Sequence, residues 1–124
     1  MSEGRAPTGA VTEIQALLGR GTEYEGKLAF DGRVRIDGRF RGEVFSTGTL
    51  ILGDGADVDA RVEVGTLIVL GGELRGQVLA RELVEIHAGA RVLADIASPQ
   101  LFIDKGAVFE GRTTMSGVRV DPLE

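Results

Sequence analysis

The fold is decided by residues 58–69, which read VDARVEVGTLIV. The stretch contains a small residue with an apolar residue two positions before it and another two positions after it. It also contains two pairs of apolar residues, and one residue separates the members of each pair. Because side chains alternate along a strand, both members of such a pair point to the same face. These features are Val58-Asp59-Ala60-Arg61-Val62, Val62/Val64 and Leu67/Val69.

The first of these features recurs at nearly constant intervals along the whole chain. Its copies start at positions 24, 40, 58, 74, 92 and 109, and the pairs equivalent to Leu67/Val69 start at positions 34, 50, 67, 84, 101 and 118. A nearly fixed period of this size is typical of a repeat architecture. The copies of the first feature are Tyr24–Leu28, Phe40–Val44, Val58–Val62, Leu74–Val78, Val92–Ile96 and Phe109–Thr113.

Three short strands per period, each with an apolar pair on the same face, predict an all-β, three-sided solenoid of about six coils of 16–18 residues. Stacked coils of this kind form parallel sheets around one apolar core. We expect a flexible tail over residues 1–15, the solenoid over residues 16–120 and a short stub over residues 121–124. Residues 11–18 leave an alternative open, because they also fit one or two helical turns that cap the solenoid or touch a membrane.

Composition narrows the class of protein. The 124 residues fit one domain, and the absence of cysteine excludes disulfides and thiolate metal sites. The net charge of −5 argues against specific nucleic-acid binding. No apolar run is long enough for a membrane-spanning helix, so we expect a cytoplasmic protein.

The basic residues are unevenly distributed. Between Arg20 and Arg41 six basic residues face four acidic ones, whereas the rest of the chain is acidic. The simplest interpretation is solvated strand surface, and the alternative is a patch for an anionic partner. The residues of this candidate patch are Lys27, Arg33, Arg35, Arg39 and Arg41.

Catalytic chemistry is difficult to assemble from these residues. His87 is the only histidine and follows the apolar Ile86, so it should face outward or lie in a turn. No cluster has metal-ligand spacing, and no glycine-rich phosphate loop is present. We therefore predict no enzyme activity, no cofactor and no metal. A left-handed β-helix of the acyltransferase type is a weaker alternative, because the coil length drifts and a lone turn histidine is a poor catalyst.

The ends of the solenoid are the remaining candidates for function. A solenoid presents unpaired strand edges and core residues at each end, which natural proteins cap or cover. Large apolar side chains cluster in the outer coils, and a heterologous contact that does not close produces filaments. The predicted polymerisation residues are Leu101, Phe102, Ile103, Phe109, Met115 and Val118 at the C-terminal end, and Leu17, Leu18, Tyr24, Leu28 and Phe30 at the N-terminal end.

Two segments resemble the bactofilins, which are bacterial cytoskeletal proteins. The segments are residues 30–38, read together with 42–44, and residues 101–111, and the resemblance covers residues 16 to about 116. It implies a single-stranded, right-handed parallel β-helix, a handedness that the periodicity does not show. It also implies polymerisation without nucleotide or metal, and it assigns the C-terminal core aromatic to Phe109.

The resemblance implies a scaffold whose main partner is another copy of itself. Family members serve cell shape, cell-wall synthesis, polar localisation or chromosome positioning, so cell-wall and chromosome-positioning proteins are the expected cargo. Many attach to the inner face of the membrane through an N-terminal segment, and residues 1–13 here are not strongly apolar. The alternative function is a non-polymeric solenoid adaptor that binds partners through its basic N-terminal face.

Overall fold

The computed structural model describes the backbone of residues 14–18 and the whole of residues 21–114. Within these residues every regular element is a strand and all pairing is parallel, so the predicted all-β solenoid is confirmed, with about five turns. The strands are β1 (Ile14–Leu18), β2 (Glu23–Phe30), β3 (Arg33–Ile36), β4 (Arg39–Ser46), β5 (Thr49–Leu52), β6 (Asp57–Val69), β7 (Glu73–Ile86), β8 (Arg91–Ala97), β9 (Leu101–Ile103), β10 (Val108–Glu110) and β11 (Thr113–Thr114).

Strand β6 runs around one whole turn and defines the three sides of the solenoid. Its residues 57–59 lie on the first side, 61–64 on the second and 66–69 on the third. On the third side the rows numbered 1 to 6 are β1, β3, β5, the end of β6, the end of β7 and β9. The first two sides stack as β2, β4, β6, β7 and β8, followed by β10 and β11.

The register of the sheets confirms the period read from the sequence. Cα partners on the first side are Tyr24 with Phe40, then Phe40 with Val58, and Val92 with Phe109 at the end of the stack. On the third side Leu50 pairs with Leu67, the next copy of the same repeat position. Each repeated apolar position therefore lies directly above its predecessor.

The core is one continuous column of these repeated positions. Phe40, Leu50, Leu67 and Leu74 are fully buried, and the charged residues of the same strands alternate outward. Since apolar burial is the main favourable term in folding, this column holds the turns together. The inward track of the second side contains two polar residues, Ser46 and Ser98, which are also buried.

Strand β1 settles the alternative for the start of the solenoid. Residues 14–18 form a strand that pairs with β3, with Ile14 opposite Arg33 and Leu18 opposite Ile36. The helical alternative for this segment is therefore wrong where the structure describes it. Tertiary pairing with β3 decides the conformation of such a short segment, since two helical turns are marginal alone.

Ser98 provides a first test of the fold. Its hydroxyl donates to the Gln100 carbonyl at 2.9 Å and accepts from the Gln100 N–H at 3.3 Å. We expect Ser98→Ala to lower the free energy of unfolding by about 0.5–1.5 kcal/mol, because the Gln100 N–H loses its side-chain acceptor while the Gln100 carbonyl keeps the Val84 N–H. Denaturant unfolding measures this, and Ala97→Ser, one residue earlier and outside the core cluster, is the control. An unchanged midpoint for Ser98→Ala would contradict the prediction.

Candidate functional site

The N-terminal end carries three of the predicted polymerisation residues in its first complete row. Tyr24, Leu28 and Phe30 lie on the inward track of β2, and the last two pack against the core. The ring of Tyr24 stacks on Phe40 with centroids 5.5 Å apart and an interplanar angle of 5°. Tyr24 remains 42% exposed, whereas Phe40 is fully buried. This end therefore presents an exposed aromatic ring stacked on a buried one.

The C-terminal end places three more predicted residues on the inward track. Leu101 and Ile103 pair with Val84 and Ile86 of the preceding row, and Phe109 pairs with Val92. Leu101 and Phe109 contact the core cluster, whereas Ile103 is 44% exposed despite its inward position. These side chains continue the core column up to the last described row.

Phe102 occupies a different position from its neighbours. It alternates with Leu101 and Ile103, pairs with Glu85 and is 56% exposed on the outer face of the third side. It therefore lies at the rim of the end and not in the cross-section of the core. A count of aromatic residues per coil does not separate these two positions, whereas strand alternation does.

The remaining predicted polymerisation residues are less fully described. Leu17 and Leu18 belong to the backbone of β1, but their side chains lie outside the described residues, as do Met115 and Val118. Their roles stay predictions. The sequence reasoning missed Ala107, which packs against the core in the last row. The signal was a repeated Gly-Ala pair, since Gly89-Ala90 and Gly106-Ala107 occupy the same place in successive repeats.

The five basic residues of the candidate patch lie on three different sides. Lys27 is on the second side, Arg33 and Arg35 are on the third, and Arg39 and Arg41 are on the first. They therefore do not share one face, and contact with a single flat anionic surface would engage only a subset of them.

Three of these basic residues already have acidic partners, namely Lys27, Arg39 and, as described below, Arg35. Lys27 Nζ lies 3.8 Å from Glu43, and Arg39 lies between Glu23 at 3.5 Å and Asp57 at 3.4 Å. Exposed pairs of this kind contribute little to stability but neutralise the local field. Among the described residues, no ion pair is found for Arg33 or Arg41.

Arg35 forms the closest ion pair of the patch. Its Nε donates to Asp37 Oδ2 at 2.8 Å and its Nη2 donates to Asp37 Oδ1 at 3.2 Å. The hydrogen bonds that Arg35 donates to Asp37, followed by the charge of that carboxylate, raise the pKa of Arg35 above its ordinary value. Two parallel hydrogen bonds also fix the guanidinium in place, so Arg35 is a permanent cation on the third side.

His87 lies just after β7, as the sequence predicts. Its Nε2 is 3.1 Å from Glu85 Oε1 and its Nδ1 is 3.3 Å from Asp104 Oδ2, so it connects rows 5 and 6 of the third side. In residues 14–18 and 21–114 we find no cluster of three or more histidines or carboxylates that could hold a metal ion. The same residues contain no helix long and apolar enough to cross a membrane.

Comparison with known proteins identifies the family. The family described as "Bactofilin: Polymer-forming cytoskeletal" matches residues 16–114. The chain is 34% identical over 102 residues to the bactofilin BacP of Myxococcus xanthus, which covers 82% of this chain and 42% of BacP. It is 26% identical over 99 residues to the bactofilin BacO of the same organism, which covers 80% of this chain and 78% of BacO.

The chain thus spans less than half the length of BacP, and no solved structure matches it. The family match nevertheless covers nearly all the described residues and the two ends discussed above. The parallel solenoid and its repeating core are consistent with this match. The chain therefore belongs to the bactofilins, a family of polymer-forming cytoskeletal proteins.

Proposed function

We propose that this chain polymerises end to end, with the core column of one copy continuing into the next. The observation that carries the proposal is the pair of partly covered core positions at the two ends, Tyr24 in β2 and Ile103 in β9. Joining two ends removes apolar surface from water and lets strand edges complete their hydrogen bonds. Both gains act at the same junction.

The resulting filament is a cytoplasmic scaffold for partner proteins, at the inner face of the membrane where an anchoring segment is present. The cargo belongs to cell-shape maintenance, cell-wall synthesis, polar localisation or chromosome positioning. The charged first side, where Arg39 alternates with Glu23 and Asp57, supplies a hydrated surface along such a filament. The adaptor alternative has less support, since the basic residues lie on three sides and three of the five are paired with acids.

Assembly should require neither nucleotide nor metal. We expect the full chain to pellet to the same extent with and without ATP, GTP or a chelator, because the described residues hold no metal-binding cluster and the junction is apolar. High-speed sedimentation with electron microscopy of the same samples measures this. A critical concentration that changed with nucleotide or chelator would contradict the proposal.

A further inference from the structure

The corner between the second and third sides is shorter in β6 than in the turns around it. Gly65 alone spans this corner in β6, whereas Thr47 with Gly48 and Arg81 with Glu82 span it in the turns before and after. The register between β6 and β7 accordingly shifts at this point. A Cβ at Gly65 would meet a backbone carbonyl oxygen of the preceding turn at 2.6 Å, so no side chain fits here. The missing residue leaves a notch in the edge of the solenoid.

Arg81 lies across this notch. Its Nη1 donates to the carbonyl of Ser46, two turns earlier, at 3.3 Å. It also borders a cavity of about 430 Å³, whose lining includes the half-buried ring of Phe45. The carbonyl is uncharged, and among the described residues no carboxylate pairs with Arg81. The notch therefore combines an aromatic wall with a cation.

A second cavity, of about 360 Å³, lies further along the same side of the solenoid. It surrounds Leu79, which is 43% exposed, and Arg112 lies at its border. Glu63 lines both cavities, and its carboxylate is 3.2 Å from Arg61. The two cavities form one groove along the axis, because the outward residues Ala29, Phe45, Glu63, Leu79 and Ala97 are successive Cα partners.

The charges of the groove that remain available to a partner are positive. Its carboxylates already accept from donors of this chain, whereas the guanidinium groups of Arg81 and Arg112 face no carboxylate in the part of the chain that the structure describes. Charge complementarity therefore favours an acidic occupant. The engaged carboxylates are Asp31, which accepts from Thr47 at 3.3 Å, Glu63, which pairs with Arg61, and Asp95, which accepts from the Arg112 N–H at 3.1 Å.

The spacing of the two cavities restricts the conformation of the occupant. Phe45 and Leu79 lie two strands apart, which is about 9.6 Å along the axis. Side chains on one face of a β-strand are about 6.7 or 13 Å apart, and neither distance matches. In a polyproline II helix, residues i and i+3 share a face about 9.3 Å apart. An amphipathic α-helix reaches about 10.5 Å at i and i+7, but its apolar residue in between would lie on the charged Glu63.

We propose that this groove binds a proline-rich segment of a partner protein in the polyproline II conformation. Apolar residues i and i+3 of the segment occupy the two cavities, and acidic residues beside them pair with Arg81 and Arg112. Such a segment is already ordered before binding, so it loses little conformational entropy. The proposal rests on the scaffold function proposed above and names the chemistry of the partner.

The location of the groove suits a filament that displays partners. It runs along the second side, which end-to-end stacking leaves uncovered. Two apolar side chains and two ion pairs make a weak contact when a single copy binds. A filament presents the groove once per copy, so a partner with several such segments gains affinity through multivalency.

Fluorescence anisotropy of a labelled peptide tests the proposal on the full chain. The probe has the sequence PPLPELPPE, with leucines at i and i+3 and a glutamate on either side of the second leucine. In one control peptide lysines replace both glutamates, and in the other an added proline moves the leucines to i and i+4. We expect both control peptides to bind at least ~10-fold more weakly than the probe.

Variants of the chain locate the contact. We expect Arg81→Glu and Leu79→Ser each to weaken binding of the probe at least ~10-fold. The matched controls are Arg33→Glu, which reverses an unpaired cation on the third side, and Leu93→Ser, which changes an outward leucine on the first side. Both controls should bind the probe as the natural sequence does, and circular dichroism checks that all four variants are folded.

The outcomes separate the groove from end-to-end assembly. No rise in anisotropy up to about 1 mM chain, equal binding of the lysine peptide, or equal losses in the variants and their controls would overturn the proposal. Sedimentation of the same samples shows whether filaments are present. Binding by a chain that does not pellet would support the groove and contradict end-to-end assembly, whereas filaments that do not bind the probe would overturn the groove alone. If Leu79→Ser instead abolished side-by-side pairing of filaments that do not bind the probe, a second copy would occupy the groove, which would also overturn the proposal.

Discussion

Phe109→Arg should leave the full chain in the supernatant under conditions in which the natural sequence pellets as filaments. Phe109 pairs with Val92 and packs against the core cluster in the last described row. It is half-buried within a single copy, so the end-to-end junction would complete its burial. Sedimentation over a range of protein concentrations measures the effect.

The expected effect is large because the substitution acts on the junction twice. It removes a large apolar side chain from the interface, and it places a cation where the next copy would exclude water. An unpaired buried charge costs several kcal/mol, and each 1.4 kcal/mol is about a tenfold change in an association constant. We therefore expect the critical concentration to rise at least ~100-fold.

Phe102→Arg is the matched control, since it makes the same change within the same terminal turn. Phe102 lies on the outer rim, where an arginine stays in water, so this variant should pellet normally. Circular dichroism of both variants checks that the solenoid is intact. A Phe109→Arg chain that is folded and still pellets would contradict end-to-end assembly through this residue. Equal loss in both variants would extend the junction to the rim.

The period of the sequence was sufficient to predict the register of the core. The repeat starts at positions 24, 40, 58, 74, 92 and 109 are the observed Cα partners, from Tyr24–Phe40 to Val92–Phe109. This success has a physical cause. In a solenoid each turn packs mainly on its neighbours, so local spacing and long-range pairing carry the same information.

The surface could not be predicted in the same way. Lys27, Arg35 and Arg39 are near one another in the sequence, yet the two corners between them place them on different sides. Acidic partners such as Asp57 come from the next turn and neutralise charges that appear unpaired in the sequence. Clusters of charge along the chain are therefore a poor guide to patches on a solenoid, whereas the outward residues of equivalent rows are a good one.

The side chains at the ends were predicted by type but not by direction. The sequence correctly grouped large apolar residues in the outer turns, and alternation separates Ile103, which points inward, from Phe102, which points outward. Residues 14–18 show a second limit of prediction from the sequence. Their own pattern fits a helix or a strand, and only pairing with β3 selects the strand. Short apolar segments are ambiguous in this way whenever their partner lies elsewhere in the chain.

Gly76→Ala should destabilise the fold strongly, because it adds a methyl group where two successive turns approach closely. Gly76 has a φ of +124° and lies directly above Ala60, and a Cβ at this position would meet the backbone carbonyl oxygen of Ala60. The two turns cannot separate locally, because the residues on either side, Leu74 and Val78, are locked into the core. We expect the free energy of unfolding to fall by at least ~3 kcal/mol. Denaturant unfolding of the full chain at fixed concentration measures this, since assembly also contributes to stability.

Gly89→Ala separates the two causes of this effect. Gly89 also has a positive φ, +92°, but a Cβ there would meet no atom within 4 Å. It therefore carries only the conformational cost of a left-handed backbone, about 1–2 kcal/mol. The additional loss of unfolding free energy at Gly76 is then due to the close approach between successive turns. If the two variants had the same midpoint, backbone conformation alone would explain the small residue in the repeat. A larger loss for Gly76→Ala would instead show that the close approach to Ala60 requires glycine at this turn.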